Sequence, residues 1–422
     1  MRLLAVVLIG AIVMSRAAAA DWPEPDQLPA STAMPDPLVM RDGKKVTTAK
    51  EWKEKRRPEL LALLEHYMYG SLPRTPLSLS WKVEHEDHAA FGGKATLREV
   101  AVTPAKGCPP LHLLLVTPNS ASGPVPAFVG MNFCGNHALV DDPKVRLPDA
   151  WMYAQYPGVK NNRATDAGRG KQADVWAIDD IIARGYAVAT FYNGDVDPDD
   201  KDYRGGMRPF LTAQGADTST IIAWAWGIMR AIDYLNNVKE IDPKRIAVVG
   251  HSRLGKTALV AGAFDERIAL VIPHQSGTGG AAPSRSHNPK AEPVERINTA
   301  FPHWFNGKYK KFNKQVEKLP FDQNCLAACV APRPLLFTVA QEDQWANPDG
   351  QFDVLKAAEP VYKLLGAGGL GADKRPEPGK LIDTTLGYYL REGKHAMTRE
   401  DWKVFMDYAD KNLKPIPANP AR

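Results

Sequence analysis
Apolar positions along the chain follow two periods, and their order predicts the architecture. Between Lys50 and Tyr69 they recur at helical spacing (Trp52, Leu60, Leu61, Leu64, Tyr67) up to a stop at Gly70. Ahead of this helix, residues 21–50 are polar and proline-rich and predict an extended lead-in. Three short runs with strand character follow the helix, at Leu97–Val102, Leu111–Thr117 and Pro126–Asn132. From there strands and helices alternate. Trp176–Arg184, Thr218–Leu235, Lys256–Phe264, Phe352–Leu365 and Arg399–Asn412 are predicted helices. Tyr186–Tyr192, Arg245–Gly250, Ala269–Pro273, Leu335–Ala340 and Leu386–Leu390 are predicted strands. Such alternation implies an α/β fold with a doubly wound, mostly parallel sheet between two helical layers. Residues 277–330 carry little strand signal and are expected to form an insertion over the sheet edge.

Composition narrows the class. With 44% hydrophobic and 24% charged residues, the chain has the apolar area for a core, which excludes wholesale disorder. A formal net charge of +5 is small for 422 residues, and no basic block stands out, so nucleic acid is not an expected partner. At the N-terminus, Arg2, the apolar run Leu3–Met14 and Ala18-Ala19-Ala20 before Asp21 have the layout of a secretory signal. Arg16 interrupts that run before the ~20 apolar residues of a membrane span are reached. The expectation is a signal peptide over 1–20, one catalytic domain over 21–412 and a disordered tail over 413–422. The product would be a periplasmic or secreted monomer with no membrane attachment after cleavage. Cys108, Cys134, Cys325 and Cys329 are too few for a disulfide scaffold. Cys325 and Cys329 sit four apart in a helical stretch, where Cβ atoms lie about 5–6 Å apart, too far for an undistorted bond. No Cys or His partners have zinc-finger spacing, and no metal or organic cofactor is expected.

The stretch Arg245–Lys256 carries the chemistry. Four apolar residues run into Gly250, Ser252 follows two places later, and a helix begins at once. A tight strand-to-helix turn would lift the Ser252 hydroxyl above the carboxyl end of the sheet, where backbone N–H groups can face an oxyanion. Such a turn would be the nucleophile elbow of an α/β-hydrolase, and the two early antiparallel strands suit that fold. The spacing departs from G-x-S-x-G: Leu254 stands where the second glycine is expected, and Gly255 comes one place late. A serine that merely caps a helix is the competing reading.

Several segments in order resemble one family. Gly250-His251-Ser252-Arg253-Leu254-Gly255-Lys256 resembles the serine motif of glucuronoyl esterases, carbohydrate esterase family fifteen. Gln275-Ser276-Gly277-Thr278-Gly279-Gly280 resembles the family's Glu-Ser-Gly-x-Gly-Gly segment. Asn298 to Phe305, with Phe301-Pro302-His303-Trp304-Phe305, resembles its Phe-Pro-His-Trp-Phe segment, and Gly393-Lys394-His395 its histidine loop. The resemblance implies that Ser252 attacks the ester carbonyl and that Arg253 helps stabilise the oxyanion. It further implies that Lys256, Glu292 and Trp345 bind sugar hydroxyls, with Glu295 a nearby competitor for Glu292. Trp304 reads as packing. The sequence also departs from the family. His251 and Lys394 stand where fungal members have a bonded cysteine pair, and Gln275 stands where many members have the catalytic glutamate.

The base and the acid follow from position. His395 comes after the last strand, its loop contains Gly393, and it completes the chain order Ser…acid…His. His251 adjoins Ser252 on a sharp turn, where neighbours point apart. His274 and His303 read as packed or supporting. Of the rest, only His137 could line the cleft. Because Gln275 cannot supply a carboxylate, the acid is sought on the loop after Leu335–Ala340. There Asp343, two residues before Trp345, matches the bacterial members of the family, and Glu342 competes.

The resulting expectation is a serine esterase with catalytic Ser252, His395, Asp343 and Arg253. Its substrates would be esters of (4-O-methyl-)glucuronic acid, as in lignin–glucuronoxylan linkages. A carbohydrate deacetylase such as an acetyl-xylan esterase is one alternative. An inactive carbohydrate-binding relative, suggested by Gln275, is the other.

Overall fold
The computed structural model describes residues 22–72, 77–202, 205–215 and 217–413. The signal-like residues 1–20 and the tail beyond Leu413 lie outside the described residues; Leu413 itself is buried after the last helix. Ten strands form one sheet. They are β1 Ser80–Ala89, β2 Ala95–Thr103, β3 Leu111–Pro118, β4 Val125–Asn132, β5 Ala187–Tyr192, β6 Ile241–His251, β7 Leu270–His274, β8 Leu335–Ala340, β9 Leu381–Ile382 and β10 Leu386–Arg391. Their spatial order is β1-β2-β3-β5-β4-β6-β7-β8-β10-β9. Pairs from β5 to β10 are parallel, the first three pairs are antiparallel, and β9 adds an antiparallel edge. The chain-reversing crossovers among the middle strands make the sheet doubly wound, as the alternation implied.

Eight helices matter to the argument: α1 Arg57–Leu64, α2 Ile178–Ala183, α3 Thr220–Leu235, α4 Arg253–Phe264, α5 Val294–Ala300, α6 Gln323–Ala328, α7 Pro348–Leu364 and α8 Arg399–Asn412. Their packing explains why the middle strands read as unbroken apolar runs. In β6, Ile246 and Val248 join the core shared with α3, α4 and α7, while Ala247 and Val249 join the one containing Trp402 and Phe405 of α8. A strand buried on both faces has no polar face to alternate with. The N-terminal helix is longer than α1, with π-helical turns at Trp52–Arg56 and Glu65–Tyr69, and ends at Gly70 with φ 77°.

The segment expected as an insertion over the sheet edge, residues 277–330, connects β7 to β8. Its contacts run to the middle of the molecule. Tyr69 donates its hydroxyl to the Gly279 carbonyl, Asn306 N–H bonds the Met68 carbonyl, and α6 packs on α7, α4 and α1. Its large side chains, among them Trp304, Phe305, Tyr309 and Phe321, are part of the main core. All four cysteines are free and buried. Among the described residues, no helix is long and apolar enough to cross a membrane, and no cluster of His, Cys, Asp and Glu could hold a metal ion.

Candidate active site
Ser252 lies between β6 and α4 with φ 59° and ψ −124°, a conformation L-residues rarely adopt and one that costs on the order of 1–3 kcal/mol. Two glycines make the turn possible. A Cβ on Gly250 would lie 2.0 Å from the Leu254 carbonyl oxygen, and one on Gly255 would lie 2.8 Å from the His274 carbonyl oxygen. The departure from G-x-S-x-G thus has a steric reason. The close approach to β7 falls at position 255, and Leu254 instead turns its side chain into the core. Ser252 N–H donates to the His274 carbonyl at 2.9 Å, and the Ser252 side chain makes no capping bond to α4.

His395 stands on the loop after β10, with its side chain 42% exposed and its Nδ1–H donating to Asp343 Oδ2 at 2.6 Å. Asp343 is buried on the loop after β8, and its other oxygen accepts from Ala346 N–H at 3.3 Å. A carboxylate held on both oxygens fixes the imidazole's tautomer and orientation. Glu342, the competitor, is exposed, and only its backbone N–H meets the loop, at the Gly393 carbonyl. Gly393 takes φ 91°.

His251 does not point away from the site. Its ring packs against His395 at 4.5 Å and against His274 at 5.1 Å, forming a row of three imidazoles. Desolvation, aided by the neighbouring His274 and His395, holds His251 neutral well below the usual histidine range. His274 is fully buried, donating Nε2–H to the Ala396 carbonyl at 2.9 Å and accepting from the Thr338 hydroxyl at 2.7 Å. Gln275, also buried, accepts the Ala396 N–H on Oε1 at 2.9 Å. Arg391 adds bonds to the carbonyls of Lys394 and Ala396. The position expected for an acid is therefore filled by a neutral side chain that grips the peptide next to His395. His137 is buried rather than lining the cleft, and burial pushes it down to about 4.

Arg253, the first residue of α4, pairs through its guanidinium with Asp199. The guanidinium carbon lies 5.1–5.7 Å from the ring centres of Phe133, Tyr153, Phe301 and Trp304. Sequence reasoning missed Asp199, which sits in a loop after β5 with no motif around it. His303, read as packed or supporting, and Trp304, read as packing, both donate to Asp199 Oδ1, at 2.9 and 2.7 Å.

The remaining candidates form one wall. Lys256 is 5% exposed, bonds the Ser276 carbonyl, and is pushed down to about 8 by burial, against the pull of the Glu292 charge. Glu292 is buried and shifted upward by the same cause, with Lys256 opposing. Glu292 N–H donates to the Trp345 carbonyl at 3.1 Å. Trp345 is 49% exposed, unlike any other tryptophan here except Trp81. Glu295 is exposed on α5, away from Lys256 and near Lys314. The Trp304 ring is stacked on Phe301 at 3.8 Å, so it packs as well as bonding Asp199.

A serine on a strained elbow, a carboxylate-bound histidine packed against the elbow's neighbouring residue, and a flanking arginine define an α/β-hydrolase of the serine esterase class. Comparison with known proteins narrows this. The family profile "Glucuronyl esterase, fungi" matches residues 170–366. A carbohydrate esterase of an unknown prokaryotic organism is 44% identical over 396 residues, covering 92% of this chain and 91% of its own. A promiscuous esterase of carbohydrate esterase family fifteen from a marine bacterial metagenome has a solved structure that superposes with TM-score 0.85 at 43% identity, covering 92% of this chain and 99% of that one. A glucuronoyl esterase from Solibacter usitatus superposes with TM-score 0.82 at 37% identity, covering 92% and 100%. This chain belongs to the glucuronoyl esterase family and is a carboxylic ester hydrolase.

Proposed function
We propose that the enzyme hydrolyses esters of (4-O-methyl-)glucuronic acid, of the kind that join glucuronoxylan side chains to lignin alcohols, through an acyl-enzyme on Ser252. The observation that carries the substrate class is the wall of Lys256, Glu292 and Trp345. It sets an ammonium, a carboxyl and an indole face beside the elbow, matched to a ring rich in hydroxyls. His395 takes the proton of Ser252 as the hydroxyl adds to the carbonyl, and Arg253 meets the charge that develops on the carbonyl oxygen. The same imidazole returns the proton to the departing alcohol, and water then releases the uronic acid. The curated 4-O-methyl-glucuronoyl methylesterases to which this chain is similar, such as that of Schizophyllum commune at 28% identity, support the same substrate.

The test compares kcat/KM on benzyl glucuronate with that on p-nitrophenyl acetate and acetylated xylan. The uronate ester is expected to be preferred. A strong preference for the acetyl esters would assign a deacetylase instead, and failure of Ser252 to react with a fluorophosphonate would favour a binding protein.

Lys256→Ala and Trp345→Ala are expected to weaken sugar discrimination. Each removes contacts to hydroxyls rather than to the reacting carbon, at about 0.5–1.5 kcal/mol for the neutral indole and about 1.5–3 kcal/mol for the charged ammonium. That corresponds to a loss in kcat/KM on the uronate ester of roughly two- to twelvefold for Trp345→Ala and about ten- to 150-fold for Lys256→Ala, with p-nitrophenyl acetate nearly unaffected. Wild-type efficiency on the uronate ester in either variant would remove that residue from the binding wall.

A further inference from the structure
We propose that Asp199 is a positioning residue that fixes the Arg253 guanidinium for the oxyanion. The inference rests on the reading of Arg253 given above and adds the part that aims it.

Arginine has many rotamers, and a guanidinium stabilises a developing charge only if it is already oriented when the charge appears. Ser252 and Arg253 are consecutive, so the elbow fixes where the arginine starts but not where its end lies. Asp199 supplies the second fixed point. One carboxylate oxygen pairs with the guanidinium. The other accepts from His303 Nε2 at 2.9 Å and Trp304 Nε1 at 2.7 Å, so the carboxylate is itself tethered. It is 4% exposed and lies beyond the carboxyl end of β5, a strand two places from β6 in the sheet. Burial alone would push Asp199 up, yet the His303 bond and the Arg253 charge hold it below the usual carboxylate range, so it stays ionised.

The arrangement also gives a role to the Phe301–Phe305 segment. Phe301 and Trp304 stack with ring planes 3° apart, and both lie against the guanidinium. The stack fixes the indole whose N–H holds Asp199. His303 and Trp304 thus act on Arg253 through one carboxylate, and neither needs to touch the ester.

The test is a double-mutant cycle between Asp199→Asn and Arg253→Ala, read on benzyl glucuronate and p-nitrophenyl acetate. Asn keeps the shape and one acceptor but presents N–H groups to the guanidinium. Asp199→Asn is expected to lower kcat by about 10–100-fold on both esters, because the oxyanion is common to them, with KM within about twofold. In the Arg253→Ala background the same change should cost little further. Equal losses from Asp199→Asn in both backgrounds, or wild-type kcat in Asp199→Asn, would overturn the inference. Wild-type kcat in Arg253→Ala would instead overturn the oxyanion reading beneath it. If Asp199→Asn does not fold, Trp304→Phe removes one donor to Asp199 while retaining a ring. It is expected to show a smaller loss that also vanishes without Arg253, and additivity there would overturn the inference equally.

Discussion

Ser252→Ala is expected to reduce ester turnover by about 10⁴–10⁶-fold with the fold intact. The local geometry makes this a clean substitution. Ser252 holds φ 59°, which alanine adopts at a similar cost, and the room for the turn comes from Gly250 and Gly255 rather than from the serine. The hydroxyl caps no helix, so α4 loses no hydrogen bond when it goes. The melting temperature should therefore stay close to wild type while hydrolysis of every ester falls together. Substantial residual activity in a pure sample would place the nucleophile elsewhere.

Asp343→Asn should be nearly as damaging, lowering kcat by as much as about 10⁴-fold. The carboxylate accepts the Nδ1 proton of His395 at 2.6 Å, which leaves Nε2 as the nitrogen that receives the Ser252 proton in the proposed mechanism. An amide at this place can donate to Nδ1 instead, favouring the tautomer with its proton on the wrong nitrogen, and it cannot offset an imidazolium. Asn still has an oxygen for the Ala346 N–H, so the turn after β8 should survive. Glu342→Gln should do little, because Glu342 is exposed and only its backbone meets the histidine loop. The measurement is kcat for the two variants beside their thermal melts. The reverse pattern, or a severe loss in Gln275→Ala with Asp343→Asn near wild type, would move the acid to another residue or give Gln275 the larger role.

Much of this arrangement is legible in the chain because it depends on local pattern. The parallel strands are buried on both faces and announce themselves as apolar runs, so β8 Leu335–Ala340 matches its expected bounds. The order Ser252, Asp343, His395 follows from the order of the strands that carry them. Strand β1 was missed although Trp81 and Val83 alternate with Ser80, Lys82 and Glu84, because that alternation is short and gives way to the polar run Glu84–His88, and nearly all of Ser80–Ala89 is exposed at a sheet edge. The π-helical turns around α1 share the apolar spacing of an ordinary helix. Asp199 was hidden for a different reason. Asp197-Pro198-Asp199-Asp200 has the composition of a surface turn, and only contacts with residues 54 and 104 positions away make it a buried anchor. The grip of Gln275 on Ala396, across 121 residues, is equally invisible without the fold.

The crowding at the elbow divides the site into a part that cannot vary and a part that can. A methyl group at position 250 has nowhere to go, since the atom it would strike is backbone, and position 255 is nearly as tight. Redirecting the enzyme to other acyl groups by enlarging residues there would unfold the turn before it altered selectivity. The wall offers a different prospect. Lys256 and Glu292, from α4 and from the segment between β7 and β8, are buried, and Trp345, from the loop after β8, is the exposed member of the wall. Trp345, already half in solvent, can change size without disturbing the core. Engineering and natural divergence are thereby channelled to the rim at Trp345, where new acyl specificities can arise while the hydrolytic apparatus beneath stays fixed.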